Sequence, residues 1–244
     1  MSDVIIVIGA SGGIGQELVH QLSERYPDNI IYALSRKSQT ASFSDNVRCM
    51  NIRTDDEKAI HEFCKSLDAS DQKVRLAIST VGILHGEVDG LQIAPEKRLE
   101  DLSNGQLLRY FHVNSVVPAL WLKHLVDRMS DQPSQIVCFS ARVGSISDNR
   151  LGGWYGYRAS KAALNMLLKT AAVEYGRRAK STTLLSYHPG TVDTGLSEPF
   201  QRNVKPEKLF TPEFIVSQLL ALLPELRADQ SPYFLDWEHE VVTW

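Results

Sequence analysis

The chain has 244 residues, 43% of them hydrophobic and 23% charged, the mixture of a packed globular protein, which argues against long-range disorder, a collagen repeat or a coiled-coil rod. Its 26 Lys+Arg and 29 Asp+Glu leave a net charge of −3 with neither sign in blocks, so nothing resembles the basic footprint of a nucleic-acid partner. No apolar run approaches the roughly 18 to 20 residues that span a bilayer, and no membrane span is expected.

Val4-Ile5-Ile6-Val7-Ile8 is a short β-branched run closed by Gly9, which suits a strand buried on both faces of a parallel sheet. Beyond the glycines, Ile14, Leu18 and Leu22 recur every four residues, so a helix begins near Gly13 and stops before Pro27. Residues 29–34 read as a second strand and 46–50 as a weaker third. Thr54-Asp55-Asp56-Glu57 is a capping box for a helix whose apolar face is Ile60, Phe63, Cys64 and Leu67, and residues 74–80 form the next buried strand. Residues 83–102 are polar and irregular. From about Ser103 a long helical pattern runs through Asn114 to Met129, bent near Pro118. Residues 135–140 are again a short apolar strand, 157–178 a helix rich in Ala, Leu and Lys, and 183–187 the strand that follows. A polar loop at 193–210 leads to Thr211-Pro212-Glu213, which opens a helix with Pro at its first position, and residues 233–236 form a last strand. Strands alternating with helices imply right-handed crossovers and an α/β fold: a single doubly wound Rossmann domain over residues 1–244, mostly parallel, with helices on both faces.

Cys49, Cys64 and Cys138 are odd in number and lack CxxC or zinc-finger spacing, which reads as buried thiols in a reduced compartment, with no metal site. Asp3 leads straight into the first strand without a basic n-region or a cleavage site, so the expected location is cytoplasmic.

Gly9-Ala10-Ser11-Gly12-Gly13-Ile14-Gly15 joins the first strand to the first helix, where glycines permit positive φ and let a pyrophosphate approach a helix N-terminus. Taken alone the run also reads as a tight strand-to-helix turn. Its GxxxGxG spacing resembles that of the short-chain dehydrogenase/reductase family. Gly9, Gly12 and Gly15 also match the GxxGxxG of the longer epimerase-like members, but 244 residues leave no room for their larger substrate domain.

Tyr157-Arg158-Ala159-Ser160-Lys161 sets a phenol and an ammonium one helical turn apart on one face, where they can act on one ligand. A fixed cation favours phenolate over phenol, so Lys161 should lower the pKa of Tyr157. The resemblance implies that Tyr157 protonates a carbonyl oxygen and that Lys161 holds the nicotinamide ribose. It further implies that Asn114 is a fourth catalytic residue, holding a water beside the lysine. Family members usually end the fifth strand with Ser-Ser-x-x-Gly and use the second serine, whereas Phe139-Ser140-Ala141-Arg142-Val143-Gly144 puts Ala141 there. Ser140 aimed at the substrate is the preferred reading; Ser145 as a substitute, or no serine contact at all, are the alternatives.

At the end of the second strand, NAD-preferring relatives carry an acid, whereas this chain has Ser35-Arg36-Lys37. A guanidinium can grip a 2′-phosphate and stack on adenine, so NADP(H) is expected over NAD(H), through Ser35 and Arg36. Asn51-Ile52 takes the family's place beside adenine. Ser79-Thr80-Val81-Gly82 stands where the family has Asn-Asn-Ala-Gly; it keeps the glycine and loses an Asn that steadies the central strand. His188-Pro189-Gly190-Thr191-Val192-Asp193-Thr194 matches Pro-Gly-x-Val-x-Thr, which implies cofactor contacts at Pro189, Val192 and Thr194, with His188 a strand-end residue.

Gly144-Ser145-Ile146-Ser147 and the Tyr/Lys motif are most similar to the C-factor and sniffer-type carbonyl reductase branch. That resemblance implies reduction of a ketone, aldehyde or quinone, with the proton from Tyr157. The alternative is a C-factor-type signalling or interaction protein that binds the cofactor with little reductase activity. Loops at 142–156 and 193–210 should wall the substrate pocket, with Leu151, Trp154 and Phe200 making it partly apolar and Arg142 or Arg150 able to admit an anion. In the family the helices bearing Asn114 and Tyr157 pair between subunits. A homodimer or homotetramer is therefore expected, with Trp121, Leu125, Leu168 and Ala172 at the contact.

Overall fold

The computed structural model describes residues 2–37, 43–88 and 90–244. Strand β1 (Ser2–Ile8) turns at the glycines into α1 (Gly13–Arg25), followed by β2 (Ile30–Ser35), β3 (Val47–Asn51), α2 (Glu57–Ala69) and β4 (Gln72–Ser79). A hairpin of β5 (Gly86–Val88) and β6 (Leu91–Ile93) precedes α3 (Asn104–Phe111), a π-helical turn (His112–Val116) and α4 (Val117–Leu125). Then come β7 (Ser134–Phe139), α5 (Tyr155–Arg178), β8 (Thr182–His188), β9 (Thr191–Val192), β10 (Leu209–Phe210), α6 (Pro212–Leu222) and β11 (Tyr233–Asp236). Seven strands form one parallel sheet in the order β11-β8-β7-β4-β1-β2-β3, the Rossmann-like arrangement. The direction of winding reverses between β1 and β4, and there the carboxyl ends of the strands open a crevice.

The alternating side chains of β1 show why both faces must be covered. Val4, Ile6 and Ile8 enter a core with α2, α4 and α5, while Ile5 and Val7 enter the opposite core with α1 and α6. All five are 0–1% exposed, so this strand buries both faces as its unbroken β-branched run predicts. No helix among the described residues is long and apolar enough to cross a membrane.

Four expectations change. The N-cap of α2 is Asp56, whose carboxylate accepts the Lys58 amide at 2.9 Å, and not Thr54, which is buried. The long helix is interrupted by the π-helical turn that carries Asn114, just before Pro118, and not by a bend at the proline. Cys49 is exposed on β3, whereas Cys64 and Cys138 are buried. Trp121, Leu125, Leu168 and Ala172 are 0–9% exposed within one core, so they hold α4 and α5 together inside the chain and are not left exposed for a contact between copies.

Candidate active site

The glycine turn is built by close approach. Gly9 has φ +91°, and a Cβ on it would lie 2.6 Å from Thr80 Oγ1; a Cβ on Gly15 would lie 2.3 Å from the Gly9 carbonyl oxygen. Gly13 approaches Thr194 Cγ2 so closely that a Cβ would stand 3.0 Å away. No side chain caps α1 at Gly12, so its first-turn amides and the positive end of its dipole face the crevice. Ser11, Gly12, Gly13 and Ile14 thus form a cradle that fits a dinucleotide pyrophosphate. Thr80 steadies this turn, its hydroxyl lying 3.1 Å from the Ile8 carbonyl and 3.2 Å from that of Gly9. The threonine performs across β1 and β4 the task whose loss was expected with the missing Asn.

At the neighbouring strand ends, β2 and β3 pair Ser35 with Asn51, and the Ile52 amide donates to the Ser35 carbonyl at 2.9 Å. Ser35 is buried, with its hydroxyl donating to the Lys37 carbonyl at 2.5 Å, while the Arg36 guanidinium is exposed, 3.5 Å from the Asp55 carboxylate. The end of β2 itself carries Ser35 in place of an acid, and the Asp55 carboxylate that stands beside Arg36 comes from the segment after β3. Ser35, Arg36, Asn51 and Ile52 are brought together here, outside the main cavity.

Helix α5 carries Tyr157 and Lys161, 7% and 3% exposed. Lys161 Nζ donates to the Phe139 carbonyl at 2.8 Å and lies 5.8 Å from the Tyr157 ring centroid. Burial pushes the Tyr157 phenol above its ordinary value and lowers the Lys161 ammonium to about 8. The expected lowering of Tyr157 by Lys161 is therefore reversed in this arrangement, because desolvation acts on both groups and the lysine spends a hydrogen bond on a carbonyl.

Asn114 is wholly buried and does not line the cavity. Its Oδ1 accepts the Ile83 amide at 2.7 Å, and its Nδ2 donates to the Ile83 carbonyl and the Ser160 hydroxyl, both at 3.0 Å. It thereby ties Val81, Gly82 and Ile83 to α5; a Cβ on Gly82 would lie 3.4 Å from Lys161 Nζ.

Ser140 borders the same cavity as Tyr157 and Lys161. Its hydroxyl donates to Asn165 Oδ1 at 2.7 Å, an oxygen that also accepts from Ser186, so in this arrangement its proton is engaged with α5. Ser145 lies beside Thr243 and accepts the Asp148 amide, away from the cavity. Ala141 lines the cavity with a methyl group.

That cavity, of about 650 Å³, is bordered by Ile14, Val81, Gly82, Tyr157, Lys161 and the Pro189, Val192 and Thr194 of the β8–β9 segment. Trp154 and Phe200 line it with rings 5.1 Å apart, and Trp154 meets Tyr157 edge-on at 6.1 Å. Leu151 is 93% exposed and lies outside it. Arg142 pairs with Asp236, and neither it nor Arg150 reaches the cavity; among the described residues, Lys97 and Arg202 are the cations that line it besides Lys161. A third wall, with Leu84, Pro95 and Lys97, comes from the segment that reads as irregular in sequence. His188 also lines the cavity; burial, and then the Arg142 charge, lower its imidazole to about 4, which leaves it neutral.

A family model described as short chain dehydrogenase matches residues 3–205. A benzil reductase ((S)-benzoin forming) of Bacillus subtilis (strain 168) is 24% identical over 239 residues, 91% of this chain and 93% of its own. The C-signal of Myxococcus xanthus is 28% identical over 147 residues, 60% of this chain and 83% of its own. The crystal structure of an NADPH bound carbonyl reductase from chicken fatty liver has the same fold, with a TM-score of 0.82 at 23% identity, over all of this chain and 96% of that one.

Proposed function

This chain belongs to the short chain dehydrogenase family of oxidoreductases, and from that premise we propose that it uses NADP(H) to reduce a ketone, aldehyde or quinone to the alcohol. The observation that carries this reading is that Tyr157 and Lys161 line the same cavity as Ile14 of the glycine turn and the segment after β8. A nicotinamide held between Ile14, Lys161 and the segment after β8 would supply the hydride for the carbonyl carbon. Tyr157, held protonated by its burial, gives its hydroxyl proton to the carbonyl oxygen, and the ammonium of Lys161 stabilises the phenolate that remains. As the family resemblance implies, Asn114, which is bonded through Ser160 to the helix that carries Lys161, helps to hold a water beside the lysine. Arg36, with Ser35 in place of an acid, binds a 2′-phosphate and favours NADP(H).

The aromatic lining suits an apolar, ring-bearing substrate. Lys97 and Arg202, with no acid among the described lining residues, favour an anionic substituent on it. The exposed apolar residues of α5 support a homodimer or homotetramer. A second reading, a cofactor-dependent signalling or interaction protein, is favoured by one observation, the methyl of Ala141 where the family places a hydroxyl.

Titration with NADPH and NADH, followed by fluorescence, and addition of a carbonyl panel test the reading. The expected result is tighter NADPH binding and oxidation on adding carbonyl, lost in Tyr157→Phe while NADPH binding persists. Undiminished turnover by that variant sinks the assignment of Tyr157; binding without any turnover in the wild type favours the second reading.

A further inference from the structure

The chain enters α5 through Gly152, Gly153 and Trp154, three successive residues at φ of +66°, +66° and +53°. Two glycines take that region freely. Trp154 does not, because its Cβ crowds the backbone, and such a conformation persists only where the surroundings fix it. Trp154 is the N-cap residue, and its side chain makes no cap bond.

The missing acceptor comes from far upstream. Glu96, 2% exposed, accepts the Trp154 amide on its main-chain carbonyl at 2.5 Å and the Gly156 amide on Oε2 at 3.0 Å. Residue 156 allows this approach as glycine: a Cβ would lie 2.4 Å from Tyr110 Cδ2 and 2.8 Å from Glu96 Oε1. The same carboxylate closes a relay of fixed polarity. The Ala94 amide donates to Gln106 Oε1 at 3.0 Å, which orients the Gln106 side chain, and Gln106 Nε2 donates to Glu96 Oε1 at 2.6 Å. Residue 96 thus faces a donor at each oxygen. A carboxylate accepts both, whereas a glutamine offers one acceptor and sets an N–H against an N–H.

We propose that Glu96 is a positioning residue for Tyr157, fixing the first turn of α5 so that the phenol meets the substrate; the inference rests on Tyr157 being the proton donor. Pro95 and Lys97 on either side line the cavity, so one residue joins the substrate wall to the helix that carries Tyr157.

The test compares Glu96→Gln with the swapped pair Glu96→Gln/Gln106→Glu. In the swap, residue 106 accepts from Ala94 and from the residue 96 amide, freeing the residue 96 oxygen for Gly156, so every bond returns. Glu96→Gln is expected to lower kcat by about tenfold to 100-fold, the scale of a slight misplacement, while NADPH affinity holds. Amide hydrogen exchange at residues 155–158, measured without cofactor, should quicken, and the swap should recover both kcat and protection. Wild-type kcat and exchange in Glu96→Gln, or a folded swap no better than the single variant, overturns the proposal. Where Glu96→Gln does not fold, the swap alone decides: folded and active supports it, folded and inactive overturns it. Full activity of Tyr157→Phe overturns the proton-donor reading and this inference together; full activity of Glu96→Gln beside an inactive Tyr157→Phe overturns this inference alone.

Discussion

Ala141 sets the chemistry that this cavity lacks at the scale of single atoms. A serine at that position would add one donor, since Ser140 gives its proton to Asn165. Ala141→Ser is expected to raise kcat by about tenfold, less than the roughly 100-fold or more that a donor contributes in a site built around it. Steady-state rates check this; an unchanged kcat would mean that the carbonyl oxygen lies elsewhere. Lys161 carries a pH dependence whose sign follows from its burial. Its ammonium falls from 10.5 to about 8 on folding, so between those values the unfolded chain holds the proton and the native chain does not. Stability attributable to this residue is therefore lowest below about pH 8 and rises toward 10.5. Against Lys161→Met, whose residue does not titrate, the melting-temperature difference should be largest near pH 7 and shrink by pH 10, while wild-type reduction slows above about pH 8 as the charge is lost. A difference that does not move with pH would remove the buried-charge account.

At the level of elements, the helices and the strands of the main sheet were legible, and the small strand pairs outside it were not. Helices α1 and α5 and strands β1, β2, β3, β4, β7, β8 and β11 lie within one or two residues of the expected bounds, because period and β-branching report burial locally. The hairpin β5–β6 escaped because each strand has three residues, too few to establish an alternation. Its consequence is large: it directs residues 95–97 along the cavity and puts Glu96 under α5. The π-helical turn was equally hidden. Nothing in His112-Val113-Asn114-Ser115-Val116 specifies the wider turn, and it forms where Asn114 is drawn into hydrogen bonds with Ile83 and Ser160.

For the whole molecule, helix periodicity counts apolar faces without saying what covers them. The residues expected between subunits are core, and the apolar groups left exposed on α5 are Met166, Leu167 and Val173, at 63%, 39% and 64%. In a dimer or tetramer of the proposed kind, these three are the predicted contact. Light scattering at micromolar concentration should give the mass of a dimer or tetramer, and Val173→Lys should shift it toward the monomer, since an ammonium buried there would meet Lys169 and Arg177 one turn away on the same face. A monomeric wild type ends that expectation. The sequence by itself determined the doubly wound class, the glycine turn and the one-turn spacing of Tyr157 and Lys161, because each is a property of residue type and local period. Only the tertiary structure decided that Ser140 turns to Asn165, that Lys161 reaches the Phe139 carbonyl and that Glu96 caps Gly156. A hydrogen bond depends on distance and angle within tenths of an ångström between residues remote in the chain, and desolvation depends on all that packs around a group. Neither quantity has a local pattern to read.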